Sequence, residues 1–296
     1  MISFVVAEEH SVGALFSALI GSMIETVPVD RISLLEAMQV LIYMRHFEDR
    51  QGWSRLGWKD QKTIVKYLSK FQTGSRQKRN VRTVVHLAAT NEETPELVHK
   101  LLENGGDPNA LDQSATTPMH LVAQNRSQVA GAILQYLLIH GGNPNAATKW
   151  GQTPVHLVAQ RCSLLNVDML RMLLNAAGDP NAEDINGWCP LHVAASNQCS
   201  TSGSIVEELL RFGADINHKD RQGGTPAHCA ARNASSVAPR VLLTLLVRGA
   251  DTNLKDNFGM TARDYAASNP GAWASELCQM LSDNKKTHKF TSCAIS

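Results

Sequence analysis

The stretch Thr117-Pro118-Met119-His120 decides the fold, because it returns along the chain at a fixed interval. Exact and looser copies, almost all 36 residues apart, begin at Thr83, Thr117, Thr153, Cys189, Thr225 and Thr261. A second mark, an Asp-x-Asn or Asn-x-Asn triplet, keeps the same 36-residue interval from Asp107 to Asp251. Two independent marks with one period indicate a single supersecondary unit that is copied along the chain.

Each copy has the pattern of two short helices followed by a projecting turn. The hydroxyl of Thr117 can cap the first helix, and Pro118 stands at the first helical position, where no N–H is needed. Apolar residues at helical spacing predict the second helix over residues 133–138. Gly141 suits the left-handed backbone at which such a helix ends. The following turn is predicted to have its tip at Lys149-Trp150-Gly151.

Thr-Pro-x-His followed by Leu-Leu-x-x-Gly-Ala-Asp-x-Asn resembles the signature of the ankyrin-repeat family, from about Val81 to Asn284. The resemblance implies an all-α solenoid with about six units at residues 81–284, the last of them a cap. The usual unit has about 33 residues. Counting places the extra residues of this chain between the two helices, over residues 124–132, 160–168 and 196–204.

Two units depart from the pattern at single positions. Cys189 occupies the place of the capping threonine, and the change is expected to weaken that cap by about 1 kcal/mol. Ala177 stands where the other units have glycine. A left-handed alanine there costs about 1 kcal/mol unless Gly178 takes the role.

Residues 1–80 lack the repeat and are predicted to be helical. The apolar segment from Val12 to Ile24 is too short to span a bilayer and lacks the basic flank of a secretory signal. One interpretation is a cap over the exposed face of the first unit, which a solenoid needs. One alternative is a recruiting module such as an F-box-like adaptor. The other is an enzyme, but this segment contains only two histidines, His10 and His46, and no cysteine, which argues against an active site there.

Histidine recurs once in each of the first five units, at His86, His120, His156, His192 and His228. Packed helices lie about 10 Å apart, which is too far for neighbouring copies to share a metal ion. The family resemblance implies instead that each histidine binds the Thr hydroxyl and nearby backbone. Cysteines 162, 199, 229 and 278 form no Cys-x-x-Cys pair, and free thiols in a reducing compartment explain them best.

The composition and motifs exclude several functions. The 296 residues are 43% apolar with a net charge of +1, which gives no sign of a nucleic-acid partner. No Gly-rich phosphate loop, nucleophile elbow or metalloprotease pattern is present. We therefore predict no catalytic, cofactor or metal site.

A protein partner is the positive prediction, because in an ankyrin stack the turn tips and first helices line a groove. The candidate contact residues at the tips are Trp150, Ile185, Trp188, Arg221, Phe258 and Met260. Those at the first-helix ends are Gln124, Asn125, Gln160, Arg161, Asn197, Arg232 and Asn233. Exposed Trp and Arg are common hot-spot residues. For Trp150 and Trp188, packing on the next unit is an equal alternative.

The last four residues, Cys293-Ala294-Ile295-Ser296, fit a C-a-a-X prenylation signal whose terminal Ser favours farnesyl. A prenyltransferase is then an implied partner, and residues 285–296 form a flexible basic tail. One lipid chain gives only reversible binding, to which Lys285, Lys286 and Lys289 add about 1 kcal/mol each on an anionic surface. The expected location is a cytosol-facing membrane.

The sequence thus favours a non-enzymatic adaptor that is tethered to a membrane and holds a partner protein in its groove. The alternative is a substrate-recognition subunit of a ubiquitin-ligase assembly, recruited through residues 1–80.

Overall fold

The computed structural model describes residues 82–90, 95–161 and 163–282, which form twelve α-helices in six pairs. The helices are α1 Val84–Ala89, α2 Pro95–Glu103, α3 Pro118–Gln124, α4 Ala130–Ile139, α5 Pro154–Ala159, α6 Leu164–Asn175, α7 Pro190–Ser196, α8 Ser202–Arg211, α9 Pro226–Arg232, α10 Ala238–Val247, α11 Ala262–Ala267 and α12 over residues 274–282. In this part of the chain a single bridge, between Lys255 and Thr261, is the only β pairing. The predicted all-α solenoid is confirmed. The predictions for residues 1–80 and 285–296 lie outside the described residues.

The pairs stack in register. Each first helix contacts the first helices of the neighbouring units, from α1 to α11, and the second helices contact one another in the same way from α2 to α10. One continuous apolar core therefore runs from Val84 to Leu281. Side chains such as Ile133, Leu170 and Leu209 are fully buried in it, and each contributes about 1.5–3 kcal/mol. A single unit could not bury these faces alone.

The first helices begin where the repeated motif predicts. Thr117, Thr153 and Thr225 have extended backbone, with ψ near 165°, and the proline after each is the first helical residue. The three threonines therefore occupy equivalent helix starts in adjoining layers. None of the described helices is both long and apolar enough to cross a membrane.

The connections between the paired helices are shorter than predicted. Helices α4, α6 and α8 begin inside the ranges 124–132, 160–168 and 196–204 that were expected to be loops. Ser163 starts α6 early, because its Oγ accepts a hydrogen bond from the backbone N–H of Leu165 at 3.2 Å. Ala130 and Ser202 start α4 and α8 as small, fully buried residues, which an apolar periodicity does not reveal.

The second helices end through left-handed residues. Gly141 has φ 83° and the equivalent Ala177 has φ 62°. Ala177 thus carries the left-handed conformation itself, and Gly178 does not relieve it. The backbone of an L residue is strained in this region, whereas glycine is not.

Replacing Ala177 by Gly should raise the free energy of unfolding by about 1 kcal/mol, because the left-handed backbone then carries no Cβ. Urea denaturation measures the change. The control is Gly141→Ala one unit earlier, where an added Cβ meets nothing within 4 Å. That variant should lose a similar amount for a purely conformational reason. Unchanged midpoints in both variants would contradict the strain argument.

Candidate functional site

Each periodic histidine joins two units through its two ring nitrogens. His120 Nδ1 lies 3.0 Å from the backbone N and 2.8 Å from the Oγ1 of Thr117, and its Nε2 lies 3.0 Å from the carbonyl oxygen of Gln152 in the next unit. A carbonyl only accepts hydrogen bonds, so Nε2 carries the proton and Nδ1 accepts from Thr117. The other four histidines make the same bridge to the next unit. His86 binds the carbonyl of Thr116, His156 that of Trp188, His192 that of Gly224 and His228 that of Met260.

Burial favours the neutral form of four of these imidazoles. It lowers the pKa of His86, His120 and His156, and it lowers that of His192 to about 4. Both ring nitrogens are occupied, so neither is left for a metal ion or a substrate. The structural interpretation of these residues therefore fits their geometry.

The last unit replaces the histidine by Asp264. Its Oδ2 accepts hydrogen bonds from the backbone N–H of Thr261 at 2.8 Å and from the Thr261 hydroxyl at 2.7 Å. The carboxylate accepts the two hydrogen bonds of the helix cap in its own unit. It has no N–H with which to donate a hydrogen bond to a carbonyl of a following unit. The substitution therefore suits a unit that ends the array.

Three thiols in the described part of the chain are free, those of Cys189, Cys229 and Cys278. Cys189 is fully buried with its Sγ 3.1 Å from His192 Nδ1, and burial raises its pKa to about 11. Its protonated thiol occupies the place of the capping threonine hydroxyl. The prediction of a free thiol is wrong for Cys199, which is disulfide-bonded.

Two series of asparagines, whose structural role was not predicted from the sequence, also link the units. Asn109 Nδ2 donates to the carbonyl of Gly141 at 2.8 Å, and its Oδ1 accepts from the N–H of Asn143 at 2.7 Å. Asn145 and Asn181 repeat both contacts one and two units later. The 36-residue period of these asparagines was the available signal.

The second series lies after the first helices, among the predicted partner contacts. Asn125 Nδ2 donates to the carbonyl of Ala89 at 3.3 Å, and Asn197 Nδ2 donates to that of Ala159 at 3.2 Å. Asn233 Nδ2 donates to the carbonyl of Asn197 at 2.8 Å. These amides hold each connection to the preceding unit, which gives them a structural role. Their contact with a partner stays a prediction.

The turn tips form a continuous edge. The backbone N–H of Lys149 donates to the carbonyl of Ser114 at 2.9 Å, and that of Ile185 donates to the carbonyl of Trp150 at 3.0 Å. Arg221 and Asn257 make the same contact to the tips before them, at 3.0 and 2.8 Å. The edge therefore presents neighbouring tips in a fixed order.

The two tip tryptophans differ in environment. Trp188 is half-buried, its Nε1 donates to Asp220 Oδ2 at 3.1 Å, and its ring stacks 6.0 Å from that of His192. This favours the packing alternative for Trp188. Trp150 is 52% exposed and lies beside Ile185 on the next tip, so its ring is available to another molecule.

The other predicted contact residues divide by exposure. Exposed are Ile185, Arg221, Phe258, Gln124, Gln160 and Arg232, whereas Arg161 and Met260 are half-buried. The Arg232 guanidinium lies 5.3 Å from the centre of the Tyr265 ring, which holds it over the last unit. Partial burial and the nearby positive charge of Arg126 lower the pKa of Arg161. The connections after α3 and α5 thus place two guanidinium groups within electrostatic reach of each other.

The lowered pKa values of His86, His120, His156 and His192 should make stability depend on pH. In the unfolded chain they take up protons near pH 6.5, whereas the folded chain resists protonation, down to about pH 4 for His192. Between pH 6.5 and pH 4 the unfolded state therefore binds more protons than the folded state. The free energy of unfolding should fall by a few kcal/mol, on the order expected from these pKa shifts, as the pH drops through this range. Urea midpoints against pH measure this. His192→Gln should flatten the dependence, and a midpoint constant from pH 7 to 5 would contradict it.

Comparison with known proteins agrees with this geometry. A family model described as ankyrin repeats (3 copies) matches residues 85–184, 127–202 and 198–291. No significant match to a curated protein was found. The matched ranges together run from residue 85 to residue 291, which is well over half of the chain. They cover the stacked helices described above except for Val84, the first residue of α1. The chain therefore belongs to the ankyrin-repeat family.

Proposed function

We propose that this protein is a non-enzymatic adaptor that holds a partner protein against the turn tips of its ankyrin stack. Ankyrin repeats are a protein–protein interaction module, and such modules are typically without catalytic activity. The ubiquitin-ligase alternative depends on residues 1–80, which lie outside the described residues, so it stays a prediction.

One observation carries the proposal, namely the apolar side chains on the tips. Trp150, Ile185 and Phe258 are 52%, 46% and 71% exposed. The fold does not require them, because the equivalent tip positions in other units hold polar residues such as Lys149 and Gln222. Exposed aromatic side chains of this kind are frequent anchors of protein interfaces.

Polar side chains at the ends of the first helices complement this apolar edge. Gln124, Gln160 and Arg232 are exposed and supply hydrogen-bond donors. Arg161 and Arg126 form no ion pair among the described residues, so a carboxylate of the partner would relieve their mutual repulsion. A partner segment with both apolar and acidic residues fits this arrangement best.

Replacing Trp150 by Ala should reduce partner recovery tenfold or more, since a hot-spot tryptophan contributes about 2 kcal/mol or more. Stability should change by no more than about 0.5 kcal/mol, because the side chain is exposed. Proximity labelling in cells compares the variant with the wild type, and thermal unfolding checks the fold.

Leu243→Ala is the matched control for this experiment. Leu243 is also 52% exposed, but it lies on α10 in the row of second helices. Proteins recovered with the wild type and with this control, but lost with Trp150→Ala, are the expected partners. If the Trp150 variant recovers the same proteins as the wild type, the tip edge is not the binding surface.

We further propose that the adaptor is farnesylated at Cys293 and resides on a cytosol-facing membrane. The support is the sequence Cys293-Ala294-Ile295-Ser296 together with Lys285, Lys286 and Lys289. These residues lie outside the described part of the chain. The proposal requires Ser296 to be the carboxyl terminus in the cell before processing, which mass spectrometry of the C-terminal peptide tests along with the lipid.

Replacing Cys293 by Ser should move the protein from the membrane fraction to the soluble fraction, because serine has no thiol to carry the lipid. Fractionation with immunoblotting measures the distribution. Cys278→Ser, which removes a free thiol outside the motif, should leave the distribution unchanged. The same distribution for the Cys293 variant and the wild type would refute the anchor.

A further inference from the structure

One unit breaks the series of asparagines that follows the first helices. The members of this series are Asn125, Asn197, Asn233 and Asn269, and their side chains donate to carbonyl oxygens of the preceding unit. Arg161 holds the equivalent position in the third unit, where it forgoes this hydrogen bond between units. We propose, on the basis of the function proposed above, that Arg161 and Arg126 bind a phosphorylated residue of the partner protein.

The asparagine contacts show that Arg161 starts next to Arg126. Asn233 Nδ2 donates at 2.8 Å to the carbonyl oxygen of Asn197, the residue 36 positions earlier, and the last unit repeats this contact. The corresponding carbonyl for Arg161 is that of Asn125, which is joined to the backbone nitrogen of Arg126 by a peptide bond. The two long side chains therefore leave neighbouring points on adjacent units and can reach one ligand together.

No carboxylate of the described residues forms an ion pair with either of these guanidinium groups. Arg161 is half-buried, and its burial and the charge of Arg126 lower its pKa. Arg171 and Arg211 are a contrasting pair, because both face Glu208, at 2.7 and 3.9 Å. A pair of positive charges without such a carboxylate is suited to an anion from another molecule.

A phosphate monoester suits this pair better than a carboxylate does. It carries a charge of about −1.5 to −2 at pH 7 and three acceptor oxygens, and guanidinium groups form paired hydrogen bonds with it. A carboxylate would neutralise one arginine and leave the other without a counter-charge. Gln160 directly precedes Arg161 and Gln124 lies two residues before Arg126, and both amides are exposed. Their N–H groups can donate to the same phosphate, at helix ends that face the proposed partner.

Titration of full-length, unprenylated protein with inorganic phosphate tests the site. In the wild type the NMR signals of the arginine Nε–H groups should shift along one saturating curve, and acetate at equal ionic strength should bind about tenfold more weakly. Arg126→Gln and Arg161→Gln should each weaken phosphate binding about tenfold or more. Arg211→Gln is the matched control, because its guanidinium already faces Glu208. Equal binding by the wild type and both site variants, or no binding by the wild type, would overturn the proposal.

Replacing Arg161 by Asn separates binding from stability. Asparagine restores the residue of the series and removes a half-buried charge, so the urea midpoint should rise while phosphate binding is lost. Circular dichroism checks that the variant is folded. A lower midpoint would mean that Arg161 stabilises the stack, which would contradict the proposed reason for its presence.

Two further measurements identify the molecule that carries the phosphate. A degenerate peptide pool centred on phosphoserine should bind the wild type about tenfold more tightly than the same pool centred on glutamate, and Arg161→Asn should abolish this preference. Phosphatidylcholine vesicles that contain phosphatidylinositol 4-phosphate should show no binding that depends on Arg161. If they do, the site belongs to a membrane and the protein partner is wrong.

Trp150→Ala distinguishes this site from the proposed tip surface. Trp150 lies on a turn tip, at the opposite end of the first helix from Arg161, so its loss should leave phosphate binding unchanged. If phosphate binds but the Trp150 variant recovers the same proteins as the wild type, the tip surface fails and the arginine site stands. If the Trp150 variant loses its partners but no phosphate binds, only the arginine site fails.

Discussion

The structure depends on the hydrogen bond that each buried histidine donates to a carbonyl of the following unit. His120 cannot satisfy both of its ring nitrogens inside its own unit, because Nδ1 faces the Thr117 cap and Nε2 faces the carbonyl of Gln152. An unpaired nitrogen at this depth would cost about 1–3 kcal/mol. A unit is therefore complete only when its successor is folded beside it, which couples the units more specifically than apolar burial does.

This coupling leaves the tips free to vary. The backbone contacts along the tip edge and the Asn109 type of bridge use main-chain groups or fixed amides, so the side chains at the outermost positions carry no structural duty. Trp150 and Phe258 occupy such positions, whereas Trp188 does not, because Asp220 and His192 engage its ring. The same scaffold can therefore present an apolar anchor at one tip and a structural aromatic at the next.

The starts of the first helices and the capping position of Cys189 were predictable, because local chemistry decides both. For Ala177 the sequence left open whether Gly178 would relieve the left-handed backbone, and the structure shows that it does not. Residues whose role depends on a neighbouring unit were harder to interpret. Asn125 and Asn233 resemble exposed polar residues in the sequence, yet their amides bind the preceding unit. The early start of α4 at Ala130 was missed because a small buried residue carries little apolar signal.

Asp264 has a consequence for how such a protein changes its length. A copy added after this unit would meet a carboxylate where a donor is required, and its carbonyl would face a negative charge. Duplication within the array encounters no such obstacle, because every internal unit offers a histidine to whatever follows it. A single side chain thus directs evolutionary growth, or an engineered extension, to the interior of the array.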